Sequence, residues 1–249
     1  MPAKIRRTAG PPSVEDVVAD LQRMASKKVR DGMARYAIPS DRALGVSVSA
    51  LQKYAKKLGR NHELANALWG TGWYEARMLA CYVDDPLQVT PAQMDRWCRD
   101  FDNWAIVDTA CFALFDRTPH AWSRVDKWAR STKEFVKRAA FALLWGFTVH
   151  DKNAEDQRFL HGLTLIESAA TDNRHFVKKA VNMALRAVGK RSRALNDAAV
   201  AVARRLAESA DRHAQWIGKH ALRELSSPKV TARLKGQNHR ASDTPKFKF

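Results

Sequence analysis

Residues 135–147 read FVKRAAFALLWGF: a large aromatic, two residues, a basic residue, then an apolar helical run. The same order recurs as Phe176-Val177-Lys178-Lys179 before AVNMAL, as Trp216-Ile217-Gly218-Lys219 before HAL, and as Tyr74-Glu75-Ala76-Arg77 before MLACYV. The four aromatics lie 61, 41 and 40 residues apart, and Trp104 divides the wide first interval nearly in half. A period of roughly 30–45 residues in a chain of helical pattern marks a solenoid of HEAT or armadillo type. The predicted fold is therefore all-α, a superhelical solenoid of HEAT-like repeats. Stacked repeats present equivalent positions along one face, so Arg77, Arg138, Lys179 and Lys219 are placed to form a row of positive charge.

The rest of the chain follows the same pattern. Apolar residues recur at spacings of three and four, as in Val14, Val17, Val18, Leu21 and Met24, and nothing reads as a series of strands. Hydrophobic residues make up 45%, with only 11 Gly and 9 Pro, so the bulk is globular. The net charge of +17 and a pI near 10.1 point to a polyanionic partner. Nucleic acid suits charge spread over many helices; a membrane surface would call for one basic amphipathic segment, and no apolar run is long enough to span a bilayer. Charge serving only solubility is the remaining reading. Cys81, Cys98 and Cys111 are odd in number and lie in apolar helical context, which suggests reduced thiols in a cytosolic protein. The first twelve residues, MPAKIRRTAGPP, lack the apolar core of a secretory signal and read as a flexible basic arm.

After the arm, Ser13 with Asp16 predicts a capped helix running to about Lys28. Residues 37–46 form a connector, and Ser49 begins another helix. Short helices follow at about 61–70, 73–83, 91–99, 103–115, 119–130, 133–149, 154–170, 174–190, 194–208 and 211–226. Thr90-Pro91 and Thr118-Pro119 each set a capping hydroxyl before a proline at the first helical position, and Asp172 and Asn173 precede the Phe176 helix in the same way. Pro228 closes the regular part, giving one repeat domain over 13–230 and a basic, disordered tail over 231–249.

Asp108 is the only charged residue in WAIVDTACFALF, residues 104–115. A carboxylate is costly to bury alone, so it either pairs with a neighbouring helix or faces a ligand. It lies four residues after Trp104 and shares its face. Arg138 is the last charge before the uncharged run Ala139–Val149; it reads either as an interhelical ion pair, with Asp108 as a candidate partner, or as a phosphate contact. Other motifs are weak. Gly189-Lys190-Arg191-Ser192 ends like a phosphate-binding loop, but no glycine precedes it at the required spacing and no strand leads in. The eight histidines form no zinc-site spacing, so no metal or cofactor is expected. Trp69, Trp73, Trp97, Trp122 and Trp128 read as packing between repeats.

The stretches DDP (84–86), MDRWCRDFDNWAIVDTACFALFDRTPHAW (94–122), EFVKRAAF (134–141) and FVKKAVNMALRAVGKR (176–191) resemble the DNA alkylation repair family of HEAT-like bacterial glycosylases, over about Val46 to Val230. The resemblance implies a right-handed superhelix whose concave basic groove holds duplex DNA, and cleavage of the N-glycosidic bond of N3- or N7-alkylated purines. Under it, Trp104 and Asp108 match the family's catalytic aromatic-x-x-x-Asp pair and Arg138 its groove arginine, while Tyr36 aligns loosely with an N-terminal tyrosine. The chain departs at Met183, where active members carry a second groove tryptophan; Trp145, seven residues after Arg138, either compensates or belongs to the core.

The expected function is thus a DNA glycosylase of the bacterial cytosol, monomeric by default. Asp108 and Trp104 are catalytic, and Arg138, Lys137, Arg77, Lys178, Lys179, Arg186, Lys219 and Tyr36 contact DNA. A non-catalytic module for damaged or branched DNA is the alternative that Met183 favours, and a protein-binding scaffold is the third reading.

Overall fold

The structure, a computed structural model, describes residues 12–242, with side chains described as far as Lys235. All regular elements among them are helical. The chain divides into two compact units, one up to Thr90 and one from Pro91, where the sequence reading has a single domain over 13–230. The expected basic arm lies outside the described residues, apart from Pro12.

The first unit holds α1 (Val14–Arg23), α2 (Lys27–Gly32), a 3-10 turn (Met33–Tyr36), α3 (Val48–Leu58), α4 (His62–Gly70) and α5 (Tyr74–Val83). Helix α5 packs on α3 and α4, and α1 on α4 and α5. Ser13 and Asp16 form the expected reciprocal cap, Asp16 N donating to Ser13 Oγ at 3.1 Å and Ser13 N to Asp16 Oδ2 at 3.2 Å. The helix does not run to Lys28. It stops at Arg23 because Ser26 turns its hydroxyl to Val29 N and caps α2 instead, the local competition that serine offers to a continuing helix. The connector 37–46 folds onto Glu75, whose fully buried carboxylate accepts from Leu44, Gly45 and Val46 N at 2.9, 2.7 and 3.2 Å. Gly45 supplies the positive φ of 84° that this loop requires.

In the second unit, α6 (Pro91–Arg99), α7 (Trp104–Ala113), a 3-10 turn (Phe115–Arg117), α8 (Ala121–Ala129), α9 (Glu134–His150), α10 (Asp156–Ser168), α11 (His175–Val188), α12 (Arg193–Ala207), α13 (Arg212–Leu225) and α14 (Pro228–Ser242) follow one another. Helices α7, α9, α11 and α13 each pack on the next, while α10 packs on α12 and both touch α11. This alternation, two helices per repeat with every second helix in contact, is the packing that the period of about 40 residues implies. Helix α9 is the centre. Ala139 to Leu144, Gly146 and Phe147 are all buried, which explains an eleven-residue run without charge: a helix covered on most sides must be apolar all round. Trp97, Phe115 and Trp128 pack together, and Trp122 stacks on Phe147 with centroids 3.9 Å apart. The three cysteines are buried free thiols.

Two local expectations fail. Helix α8 starts at Ala121 and not at Pro119, because Thr118 Oγ1 donates back to Phe115 O at 2.9 Å and closes the 3-10 turn. Residues 231–242 are not an irregular tail: they continue α14, whose Val230 and Leu234, four apart, are buried. That narrow apolar edge was hidden among basic residues; 243–249 lie outside the described residues.

Gly218, inside the fourth copy of the motif, sits at a close crossing of α13 on α12. A Cβ there would lie 2.2 Å from Ala207 N and 2.6 Å from both Ala203 O and Leu206 C, all backbone of α12. Backbone cannot move aside, so Gly218→Ala is expected to destabilise the protein by about 3 kcal/mol, read as a shift of the urea midpoint with little change in slope.

Candidate functional site

Helix α7 begins on Asn103, a buried cap whose Oδ1 accepts from Ala105 and Ile106 N, each at 3.0 Å. That cap fixes Trp104 at the first position of the helix and Asp108 one turn on, both half-buried. Arg138 reaches Asp108 from α9. Its Nε donates to Oδ1 at 2.9 Å and its Nη2 to Oδ2 at 2.7 Å, while Nη1 donates to the Phe176 carbonyl of α11 at 2.9 Å. The arginine side chain is 4% exposed and the aspartate 19%. Burial pushes the Asp108 carboxyl above its ordinary value and the adjacent guanidinium opposes this. Both oxygens accept in the forked geometry, the arrangement that an arginine and a carboxylate favour. Arg138 therefore ties three consecutive helices of one layer together through a single guanidinium.

Two of the motif's aromatics meet. Phe135 and Phe176, each second in its helix, have centroids 5.3 Å apart. The ammonium groups of Lys178 and Lys179 lie 5.1 and 5.6 Å from the Trp216 ring centroid. The basic positions diverge. Lys179 and Lys219 are exposed, but Arg138 turns inward; the equivalence of repeats breaks where Asp108 offers it a partner. Lys137 is half-buried and pairs with Asp172 at 3.1 Å, and Arg186 pairs with Glu224, which also takes Lys190 at 2.7 Å. In the first unit, Arg77 lies 5.3 Å from the Trp69 ring centroid, and Tyr36 is 65% exposed. Met183 is half-buried on α11, two turns beyond Phe176.

The ion-pair knot around Asp172 was not foreseen. Arg174 Nε and Nη2 bind it at 2.9 and 2.5 Å beside Lys137. Burial opposes ionisation there, but the hydrogen bonds from Arg174 and Lys137 pull the carboxyl down to about 2. Asp172 acts as a staple and not as a helix cap; its one sequence signal was an acid two residues before an arginine. A carboxyl depressed in the folded state stabilises above its unfolded value, near about 4, and loses that contribution as pH falls through the folded one. The stability gap between the wild type and Asp172→Ala is therefore expected to be full above about pH 5 and to close towards pH 2, as followed by thermal melts.

A family model described as DNA alkylation repair enzyme matches residues 17–225. The chain belongs to this family. The match covers both compact units and every site residue named above, so the Asp108–Arg138 clasp is a feature of a DNA alkylation repair family member. Among solved structures, one described as "A new family of proteins related to the HEAT-like repeat DNA glycosylases with affinity for branched DNA structures" aligns with a TM-score of 0.71 at 20% identity, covering 85% of this chain and 95% of that chain. At that identity the likeness shows the fold, a HEAT-like helical repeat. Comparison with curated proteins gave no match.

Proposed function

We propose that this family member binds duplex DNA on its basic surface and hydrolyses the N-glycosidic bond of purines alkylated at N3 or N7. The observation that carries this reading is Asp108, a carboxylate on an apolar helix, one turn from Trp104 and still 19% exposed. Glycosidic cleavage passes through an oxocarbenium-like state and ordinarily needs an acid for the leaving group as well as a carboxylate for the sugar. A cationic alkylpurine leaves as a neutral base: the electron pair of the C1′–N9 bond moves into its ring. Water then attacks C1′ and gives up a proton, so one carboxylate suffices. Asp108 stabilises the sugar cation, and the Trp104 indole adds a cation–π contribution. Phosphates are met by exposed cations such as Lys179 and Lys219, so affinity is largely independent of sequence and falls with salt.

A second reading is non-catalytic binding of damaged or branched DNA. Two observations favour it: both Asp108 oxygens are engaged by Arg138, and Met183 offers no aromatic face. The similar solved structure is described as having affinity for branched DNA. The deciding experiment is release of free base from duplex DNA carrying N7-methylguanine. Release supports the glycosylase; salt-sensitive binding without release leaves the non-catalytic binder.

A further inference from the structure

At the C-terminal ends of α9 and α11, where α12 begins and α14 crosses, the second unit contains a pocket of about 620 Å³. We propose that it takes one unpaired nucleotide, the base against Trp145 and the phosphate against Lys152, Arg191 and Arg233. The proposal rests on the DNA-binding reading above and names a second subsite within it.

Charge comes first. The charged lining residues are Lys152, Lys190, Arg191 and Arg233, against one anion, Asp156. Arg191 Nη2 donates to the carbonyls of Lys152 and Ala154 at 3.1 and 2.9 Å, and its guanidinium lies 4.4 Å from the Phe159 ring centroid. Arg233 donates to the carbonyl of Lys190. These partners are neutral, so they hold the guanidinium groups in place without cancelling them. Lys190 is offset by Glu224 at 2.7 Å, whereas the ammonium of Lys152 makes no ion pair among the described residues. Four cations against Asp156, and against Glu224 that Lys190 shares with Arg186, leave an excess of at least two. The C-terminal ends of α9 and α11 contribute about half a negative charge each, which offsets only part of it. The pocket therefore attracts an anion.

Its wall is aromatic as well as basic. Trp145 is half-buried in it and is held by Phe112, centroids 4.5 Å apart at 75°. A volume of 620 Å³ suits a ligand of small-molecule size and not a duplex. A basic groove with an exposed aromatic is how unpaired strands are held, the base stacking on the ring. The pocket shares its helix with the clasp: Trp145 lies two turns beyond Arg138 on α9. Lys190 and Arg191, which the sequence showed as the end of a failed phosphate loop, reach the pocket from the end of a helix instead.

The test is fluorescence anisotropy of the intact protein with a forked DNA carrying unpaired nucleotides and a fully paired duplex of the same sequence, at one salt concentration. The wild type is expected to prefer the fork. Trp145→Ala should weaken fork binding by about tenfold and leave duplex binding nearly unchanged, while Trp145→Phe, which keeps a stacking face, should retain most of the preference. Free 5′-dAMP should displace the fork at concentrations where inorganic phosphate does not. Equal losses on both DNAs, or an unchanged preference in Trp145→Ala, would overturn the assignment and leave the duplex reading intact. Phosphate competing as well as 5′-dAMP would reduce the pocket to a simple anion site and also overturn it. A wild type that binds neither DNA would remove the DNA-binding reading and this proposal with it.

Discussion

Asp108→Asn is expected to lower release of N7-methylguanine by about two to three orders of magnitude, with duplex affinity unchanged or slightly higher. The charge is what matters. The amide has nearly the shape of the carboxylate, but it cannot stabilise positive charge developing at C1′. Burial magnifies this loss, because a charge interaction at a side chain only 19% exposed is stronger than in water. Affinity should not fall, because removing a negative charge from a basic surface relieves repulsion of phosphate and loosens Arg138. A stability cost accompanies the change. Asn retains one oxygen for Arg138, so the loss is about 1–3 kcal/mol, and melting is measured beside activity so that rates refer to folded protein. Base release by Asp108→Asn at the wild-type rate would make Asp108 purely a partner of Arg138. Loss of release together with retained binding would give the carboxylate its catalytic role.

How much of this was legible in the sequence depended on whether the signal was periodic or pairwise. The aromatic-x-x-basic motif predicted that α9, α11 and α13 stack on one another, and the Phe135–Phe176 and Lys178–Trp216 contacts join them in that order. The uncharged run after Arg138 marked the central helix because burial on most sides leaves a compositional trace. The pairing of Asp108 with Arg138 was visible only as one of two options, because a lone charge in an apolar helix says that a partner or ligand is needed without saying which. Side-chain direction was not legible. Arg138 and Lys179 hold the same motif position, yet one is buried and the other exposed, and only the presence of Asp108 on the adjacent helix separates them. Elements with weak apolar edges were missed, as α14 shows with only Val230 and Leu234 to anchor its described part. The Asp172 knot joins residues 137, 172 and 174, a combination of one long-range and one local contact that no spacing rule selects.

Arg138→Met is expected to destabilise the protein by about 3–5 kcal/mol, a larger effect than the asparagine substitution at its partner. The substitution leaves the Asp108 carboxylate in a desolvated site with no counter-charge, and it removes the donor to the Phe176 carbonyl at 2.9 Å. The carboxylate is left unsatisfied on α7, and the Phe176 carbonyl keeps only its place in the α11 helix ladder. The double variant Asp108→Asn/Arg138→Met should be more stable than the sum of the single changes by about 1–3 kcal/mol, because the buried charge is then absent. This separates the two roles that the sequence left open for Arg138. A phosphate-binding arginine would lower DNA affinity and the salt slope by about one ion while leaving the urea midpoint near that of the wild type. An interhelical clasp moves the midpoint first and shows coupling to Asp108. The 4% exposure of the arginine and the engagement of all three of its nitrogens favour the clasp. Any contact with a phosphate would then require the ion pair to open, and opening it would return to Asp108 the lone pairs that a sugar cation or an attacking water needs. Arg138 and Asp108 would in that case be released together by the same phosphate, and the stability coupling between them would measure what it takes to open the clasp in the absence of DNA.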